Sequence, residues 1–223
     1  MGTVREQIDF VNDEIKKAKA KSSFTEPVTL IAVTKTFPCE KIQEAYDAGC
    51  RTFGENRVQE MLEKTDFFPD CSWHPIGHLQ KNKVKYVVGK ACLIHSVDSF
   101  ELMEEINRIA CKKGVVQDVL LEVNISGEIT KYGLTTDEIK DIIIKIGELG
   151  SVRVRGLMTM APKSDDPDSV RWVFKRAREL FDKYKAEIPD FDILSMGMSG
   201  DYTVAVEEGA TMVRVGSLIF GKR

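Results

Sequence analysis

The chain has 223 residues, 43% apolar and 30% charged, an ordinary globular balance that excludes a disordered or fibrous chain. Lys and Arg total 32 against 35 Asp and Glu, a net charge of −3, without the strongly basic balance of a dedicated nucleic-acid binder. No uninterrupted apolar stretch approaches ~20 residues, so no membrane-spanning helix is expected, and the charged, periodic N-terminus lacks the apolar core of a secretion signal.

The predicted elements alternate along the chain. Val4, Ile8, Val11 and Ile15 recur at helical spacing. Residues 28–33 form a β-branched run that suits a buried strand. After Pro38 a helix follows, stopped at Gly49. Residues 50–53 read as a strand and 58–62 as the start of a helix. Residues 73–76 read as a strand, followed by a helix containing Val84, Val87 and Val88. Residues 93–97 read as a strand and 99–113 as an amphipathic helix. The run 118–125 is the clearest strand. A helix over 136–149 follows, with Thr136 as N-cap and Gly150 as stop. Strand 154–160, helix 168–185, strand 193–196, helix 203–208 and strand 212–215 complete the chain.

About eight strands, each followed by helix except the last, imply parallel pairing with right-handed crossovers. The expected fold is α/β, a single (β/α)8 TIM barrel over residues 1–223 with an extra N-terminal helix. A doubly wound open sheet shares the local pattern, although no Gly-x-Gly-x-x-Gly follows the first strand.

The five cysteines, Cys39, Cys50, Cys71, Cys92 and Cys111, are odd in number and widely spaced. They read as buried or inert thiols in a reducing, cytoplasmic setting, not as a disulfide framework or zinc site. His74 and His78 are an i, i+4 pair, but Pro75 and Gly77 argue against a helix there, and metal ligation is the minor reading.

In a barrel, chemistry gathers at the C-terminal strand ends. Lys35 closes the first strand on the side of Ile31 and Val33. If that side faces the interior, partial desolvation favours the neutral amine and a Schiff base; the plain alternative is a solvated lysine. Ser199-Gly200-Asp201 precedes a short helix and Gly216-Ser217 follows the last strand. These are the loops where barrels bind phosphate, though turn chemistry also favours Gly and Ser. Arg214, flanked by Val213 and Val215, faces the other side of its strand and needs an acceptor, either Glu122 from another strand or a ligand. Amine, phosphate cradle and guanidinium together match pyridoxal phosphate, with its aldehyde, phosphate and ring nitrogen.

Several blocks in order strengthen that match: 30–36 (LIAVTKT), 53–60 (FGENRVQE), 73–83 (WHPIGHLQKNK), 123–126 (VNIS) with Lys131 and Gly133-Leu134, 156–158 (GLM), 194–201 (LSMGMSGD) and 213–221 (VRVGSLIFG). By these the chain resembles, over almost its whole length, the YggS/PROSC family of pyridoxal phosphate homeostasis proteins. The resemblance implies a barrel similar to the N-terminal domain of alanine racemase, the fold type III class of pyridoxal phosphate (PLP) proteins. It implies that Lys35 holds PLP as a Schiff base. It implies also that Ser199, Gly216 and Ser217 contact the phosphate, that Arg214 faces the pyridine nitrogen and that Asn56 lies near the cofactor. Gly200 departs mildly from the family pattern.

The resemblance favours a non-catalytic carrier, buffering PLP or delivering it to PLP-dependent apo-enzymes. The chain is expected to be a monomer, with neither nucleic acid nor membrane as partner. An arginine beside the ring nitrogen keeps the ring neutral and the electron sink weak. The length leaves no room for the second domain from which type III racemases take their second base. The alternative is a fold type III amino-acid racemase or lyase. A cofactor-free Schiff-base aldolase is a weaker third.

Overall fold

In the computed structural model, which describes residues 2–128 and 132–221, the strands form one parallel sheet. Lys131 of the sequence motif lies outside the described residues. The strands are β1 (Thr29–Val33), β2 (Thr52–Glu55), β3 (Ser72–Pro75), β4 (Ile94–Val97), β5 (Gln117–Val123), β6 (Val152–Thr159), β7 (Ile193–Met198) and β8 (Met212–Val215). They pair in the order β3-β2-β1-β8-β7-β6-β5-β4. The end strands β3 and β4 meet across a seam joined by individual hydrogen bonds. Cys92 N–H donates to the Trp73 carbonyl at 2.9 Å, Ser96 Oγ to the Gly77 carbonyl at 2.7 Å, and the His74 and His95 rings lie 2.9 Å apart, nitrogen to nitrogen. The sheet is therefore a nearly closed barrel, not the open doubly wound alternative.

The helices are α1 (Val4–Lys21), α2 (Cys39–Asp47), α3 (Val58–Phe67), α4 (Val84–Val87), α5 (Phe100–Lys113), α6 (Thr136–Lys145), α7 (Arg171–Lys185), α8 (Tyr202–Glu207) and α9 (Ser217–Phe220). The leading helix buries Val4, Ile8, Val11 and Ile15 and packs against α8 and α9. Local chemistry moves several expected boundaries. Thr135, not Thr136, caps α6, because its hydroxyl accepts from Glu138 N–H while the Glu138 carboxylate takes Thr135 N–H. The expected helix over 168–185 opens with a 3-10 turn, Pro167–Val170, before α7. The last strand is followed by a helix after all, since Gly216 turns the chain into α9.

Alternation sends one side of each strand to the helices and the other to the barrel interior. Val119, Leu121, Leu194, Met196, Val213 and Val215 pack outward, while Leu93, Leu120 and Met158 form a small inner cluster. In β6 the parity changes midway, with Val154 and Leu157 both facing the helices. The change falls at Gly156, where the β5–β6 register shifts and φ is 149°. A Cβ there would sit 1.7 Å from the Ile193 carbonyl oxygen, so only glycine fits. The bulge turns Met158 inward and sets the end of the strand beside the mouth.

A buried ion pair fixes the ends of β1 and β2. Lys64 of α3 donates to Glu55 Oε1 at 2.6 Å and to the Thr34 carbonyl at 2.8 Å. Thr34 Oγ1 donates to the same carboxylate oxygen at 2.6 Å. Burial pushes the Glu55 carboxyl up from its ordinary pKa, and its second oxygen has no hydrogen-bond partner. Lys64→Met is expected to destabilise by ~3–5 kcal/mol in denaturant unfolding, because it strands a buried carboxylate. Glu55→Leu with Lys64→Met, which removes both charges, should recover most of that loss.

Candidate functional site

The C-terminal mouth of the barrel opens into a cavity of about 630 Å³. Lys35, Asn56, Ser199, Arg214, Gly216 and Ser217, the residues nominated from the sequence, all line it.

Lys35 stands just beyond β1, half-buried, with Val33 beside it in the cavity wall. It sits in a turn closed by Phe37 N–H donating to the Thr34 carbonyl at 3.0 Å. The next residue, Thr36, has φ of 67°, a left-handed conformation that a β-branched residue rarely adopts and that costs ~1–2 kcal/mol. Glu60 of α3 holds it there by accepting Thr36 N–H at 2.7 Å. Strain next to the lysine is thus fixed by a carboxylate from the following helix. Asn56, exposed at the end of β2, lies against Gly77, where a Cβ would come within 2.6 Å of the Asn56 carbonyl oxygen.

Two loops face each other at the far wall. Ser199, after β7, accepts Gly216 N–H through its hydroxyl at 3.2 Å. Gly216 packs on β1 so closely that a Cβ would lie 3.0 Å from the Val33 carbonyl oxygen. The N–H groups of Ser217 and Leu218 open α9 ahead of its first bond, which Ile219 N–H makes to the Gly216 carbonyl at 3.0 Å. Asp201 holds the β7 loop by accepting Met198 N–H at 2.6 Å. Together the loops present backbone donors and two serine hydroxyls on a glycine-thinned wall, a donor set that fits a phosphate.

Arg214 points inward, as alternation required, and is almost fully buried. Of the two acceptors offered for it, Glu122 or a ligand, Glu122 makes no ion-pair contact with it among the described residues. Instead Arg214 donates through one terminal nitrogen to Ser195 Oγ at 2.6 Å and through the other to the Thr159 carbonyl at 2.9 Å. Neutral acceptors are nearer because β7 and β6 lie on the same arc of the barrel as β8. Burial pushes the guanidinium down to about 10, while Glu122 and Asp201, acting through space, pull the other way. It stays charged at neutral pH.

Sequence reading alone assigns no role to Ser195 or His95 and weighs His74 only as a minor metal-ligand candidate beside His78. Ser195 Oγ also lies 3.1 Å from His95 Nδ1, and His95 Nε2 lies 2.9 Å from His74 Nδ1. Strand alternation gave the signal, since His74, His95 and Ser195 each occupy an inward position. His78 is separate from this chain: it contacts Asp98 at 3.0 Å and stacks on Tyr132 at the mouth, with ring centroids 4.2 Å apart. His74 and His78 thus belong to different networks, and no metal-binding cluster exists among the described residues. Among the cysteines, expected to be buried or inert, Cys92 and Cys111 are exposed. Cys71 is pushed up to about 11 by burial and by Asp70, which makes it a poor nucleophile.

Comparisons with known proteins agree with this geometry. Residues 11–223 match the family described as alanine racemase, N-terminal domain. A curated relative from Aquifex aeolicus named pyridoxal phosphate homeostasis protein is 45% identical, with 98% of this chain and 97% of that one aligned. The solved structure of PipY from Synechococcus elongatus with PLP bound is 35% identical, with a TM-score of 0.86 over 98% of this chain and 100% of that one. Alanine racemase of Clostridium difficile shares the fold at 17% identity, with a TM-score of 0.77 over 98% of this chain and 60% of its own.

Glu122 adds a titratable carboxyl to the cavity wall. Burial, aided by Asp98, raises it to about 7, and Arg214 opposes the shift. The folded state therefore binds more protons than the unfolded chain between about pH 4.5 and 7, so this carboxyl's contribution is lost as pH rises through 7. Glu122→Gln should gain on the parent by ~2–3 kcal/mol between pH 5 and 8, in denaturant unfolding of cofactor-free protein. A pH-independent difference would show that Glu122 is not held against its charge.

Proposed function

We propose, from the premise that the chain belongs to the pyridoxal phosphate homeostasis proteins within the alanine racemase N-terminal domain family, that it holds pyridoxal 5'-phosphate reversibly in the barrel mouth. The observation that carries this is the convergence on one cavity of a half-buried lysine, a glycine–serine wall and a buried guanidinium.

Each residue has a separate task. Lys35 offers its amine to the cofactor's aldehyde, and the turn at Thr36 keeps that amine at the rim. Ser199, Gly216 and Ser217 bind the phosphate with hydroxyl and backbone donors. Arg214 meets the ring nitrogen with N–H groups and, being charged, keeps that nitrogen unprotonated. Asn56 and Gly77 shape the side of the cavity next to the lysine. When bound, the cofactor supplies a reactive aldehyde and a conjugated ring. The protein's part is to hold and orient both.

This arrangement supports storage and release over turnover. An unprotonated ring is a weak electron sink, which suits cofactor holding or racemase-like chemistry over transamination. The name shared by the relatives, one of homeostasis and not of a reaction, favours holding. The chain then acts as a monomeric cytoplasmic carrier that buffers PLP or delivers it to apo-enzymes. Glu122 favours a second reading, in which a racemase or lyase uses it as an acid–base group. Its electrostatic coupling to Arg214 puts it on the ring-nitrogen side, where the first reading needs no proton transfer.

The test is chemical. Borohydride treatment of the loaded protein should fix the cofactor on the peptide containing Lys35, and label on another lysine would overturn the assignment. Lys35→Ala should abolish that link and leave weak binding through the phosphate wall. Arg214→Gln should raise the Kd for PLP about tenfold while the protein still folds. Stereochemical exchange of alanine by the loaded protein would replace the carrier reading with the racemase one.

A further inference from the structure

The interior chain of hydrogen bonds has a direction. Arg214 can only donate, so Ser195 Oγ accepts from it at 2.6 Å. The single hydroxyl hydrogen of Ser195 is then available for His95 Nδ1, 3.1 Å away. With Nδ1 accepting, a neutral His95 carries its proton on Nε2 and donates it to His74 Nδ1 at 2.9 Å. His74 in turn carries its proton on Nε2. In this sense the Ser195 hydroxyl and His95 Nε2–H both meet acceptors between Arg214 and the β3–β4 seam. In the reverse sense Ser195 would accept twice, and its hydroxyl hydrogen would face neither neighbour.

We infer that Ser195, His95 and His74 are positioning residues that hold the Arg214 guanidinium in place for the ring nitrogen of the bound cofactor. The inference rests on the proposed cofactor site and extends it into the barrel core. A rigid acceptor at 2.6 Å fixes one arm of the guanidinium, and the Thr159 carbonyl at 2.9 Å fixes the other. The planar fork is thereby held at both ends.

The histidines suit this role because both are neutral. Burial lowers His74 to about 4 and His95 well below its ordinary value, with Arg214 and His74 adding to the shift on His95. A cationic His95 would repel Arg214 and have no acceptor nitrogen for Ser195. The other charged groups acting on Arg214 are Glu122 from β5 and Asp201 from the loop after β7. Both attract the guanidinium through space without touching it, so the neutral chain supplies the directional contacts and the carboxylates only bias them.

The experiment has a cofactor-free and a cofactor-loaded arm. Nitrogen-15 histidine spectra of the cofactor-free protein should show His74 and His95 as neutral Nε2–H tautomers from pH 6 to 8. An Nδ1–H or cationic His95 would overturn the inference. In the loaded arm, Ser195→Ala should raise the Kd for PLP at least tenfold and shift the visible absorbance of the bound cofactor. Ser195→Thr, which keeps a hydroxyl, should restore both. His95→Gln, with an acceptor and a donor of its own, covers the case in which Ser195→Ala does not fold, and should show an intermediate shift. Variants that lose thermal stability but keep the parent Kd and spectrum would reduce the chain to a structural role and overturn the inference alone. A parent chain that binds no PLP would overturn this inference and the proposed function together.

Discussion

A charged guanidinium inside a nearly closed barrel is the constraint around which the rest of the interior is organised. Arg214 cannot shed its proton at neutral pH and cannot reach bulk water, so its surroundings must supply acceptors. Two come from neighbouring strands, Ser195 and the Thr159 carbonyl. Neither is charged, and that matters for a ligand. A carboxylate in direct contact would neutralise the guanidinium and compete for its N–H groups. Neutral acceptors orient it and leave its charge expressed at the cavity. Placing Glu122 and Asp201 at a distance tempers the cost of burial without closing the site.

The same interior chain also contributes to closure. Hydrogen-bonded ladders run from β3 round to β4 the long way, and the seam between those two is joined by single contacts. The His74–His95 contact is one of them. The group that orients Arg214 is therefore also one that ties the last strands together. Any loosening of the seam would reach the guanidinium through a route of three short hydrogen bonds. Interior polar networks of this kind are costly where a member is left unsatisfied, and here Arg214, Ser195, His95 and His74 are joined in one run of contacts. The outward side is built differently. The Glu55–Lys64 pair leaves one carboxylate oxygen without a partner, yet it anchors the ends of β1 and β2, from which Lys35 and Asn56 project.

Much of this was legible in the sequence because barrel positions are set by a period of two. The inward direction of Arg214 followed from Val213 and Val215, and the position of Lys35 from Ile31 and Val33. The loops after β7 and β8 carried Ser199, Gly216 and Ser217 to the place the strand count assigned them. Periodicity gave less where the register breaks. The bulge at Gly156 reverses the parity of β6, so residues past it face opposite to a simple count. Of the two acceptors open to Arg214, Glu122 or a ligand, the carboxylate is not in contact, for a related reason. A charge suggests a countercharge, but β7 pairs directly with β8 and brings Ser195 within reach, while Glu122 sits on β5, three strands away. Thr36 was silent as well, since nothing in its identity announces a left-handed turn held by Glu60.

The two ends of the cavity differ in how firmly they are held, and that difference bears on storage against catalysis. Where Arg214 lines the cavity, it is buried and tied at both arms, to Ser195 Oγ and to the Thr159 carbonyl. At the lysine end, Lys35 is half-buried in a turn of four residues whose strain is balanced by one carboxylate. Tyr132 and His78 stack at the rim and are substantially exposed. A catalyst needs reacting groups held on both sides of the bond it breaks. A carrier needs firm recognition at one end and an accessible bond at the other, so that the ligand is identified by what is rigid and released by what is not. On the proposed reading the tied guanidinium would meet the ring nitrogen, and the loops after β7 and β8 would hold the phosphate. Lys35, in its half-buried turn, would on the same reading meet the aldehyde, the part a carrier has to release.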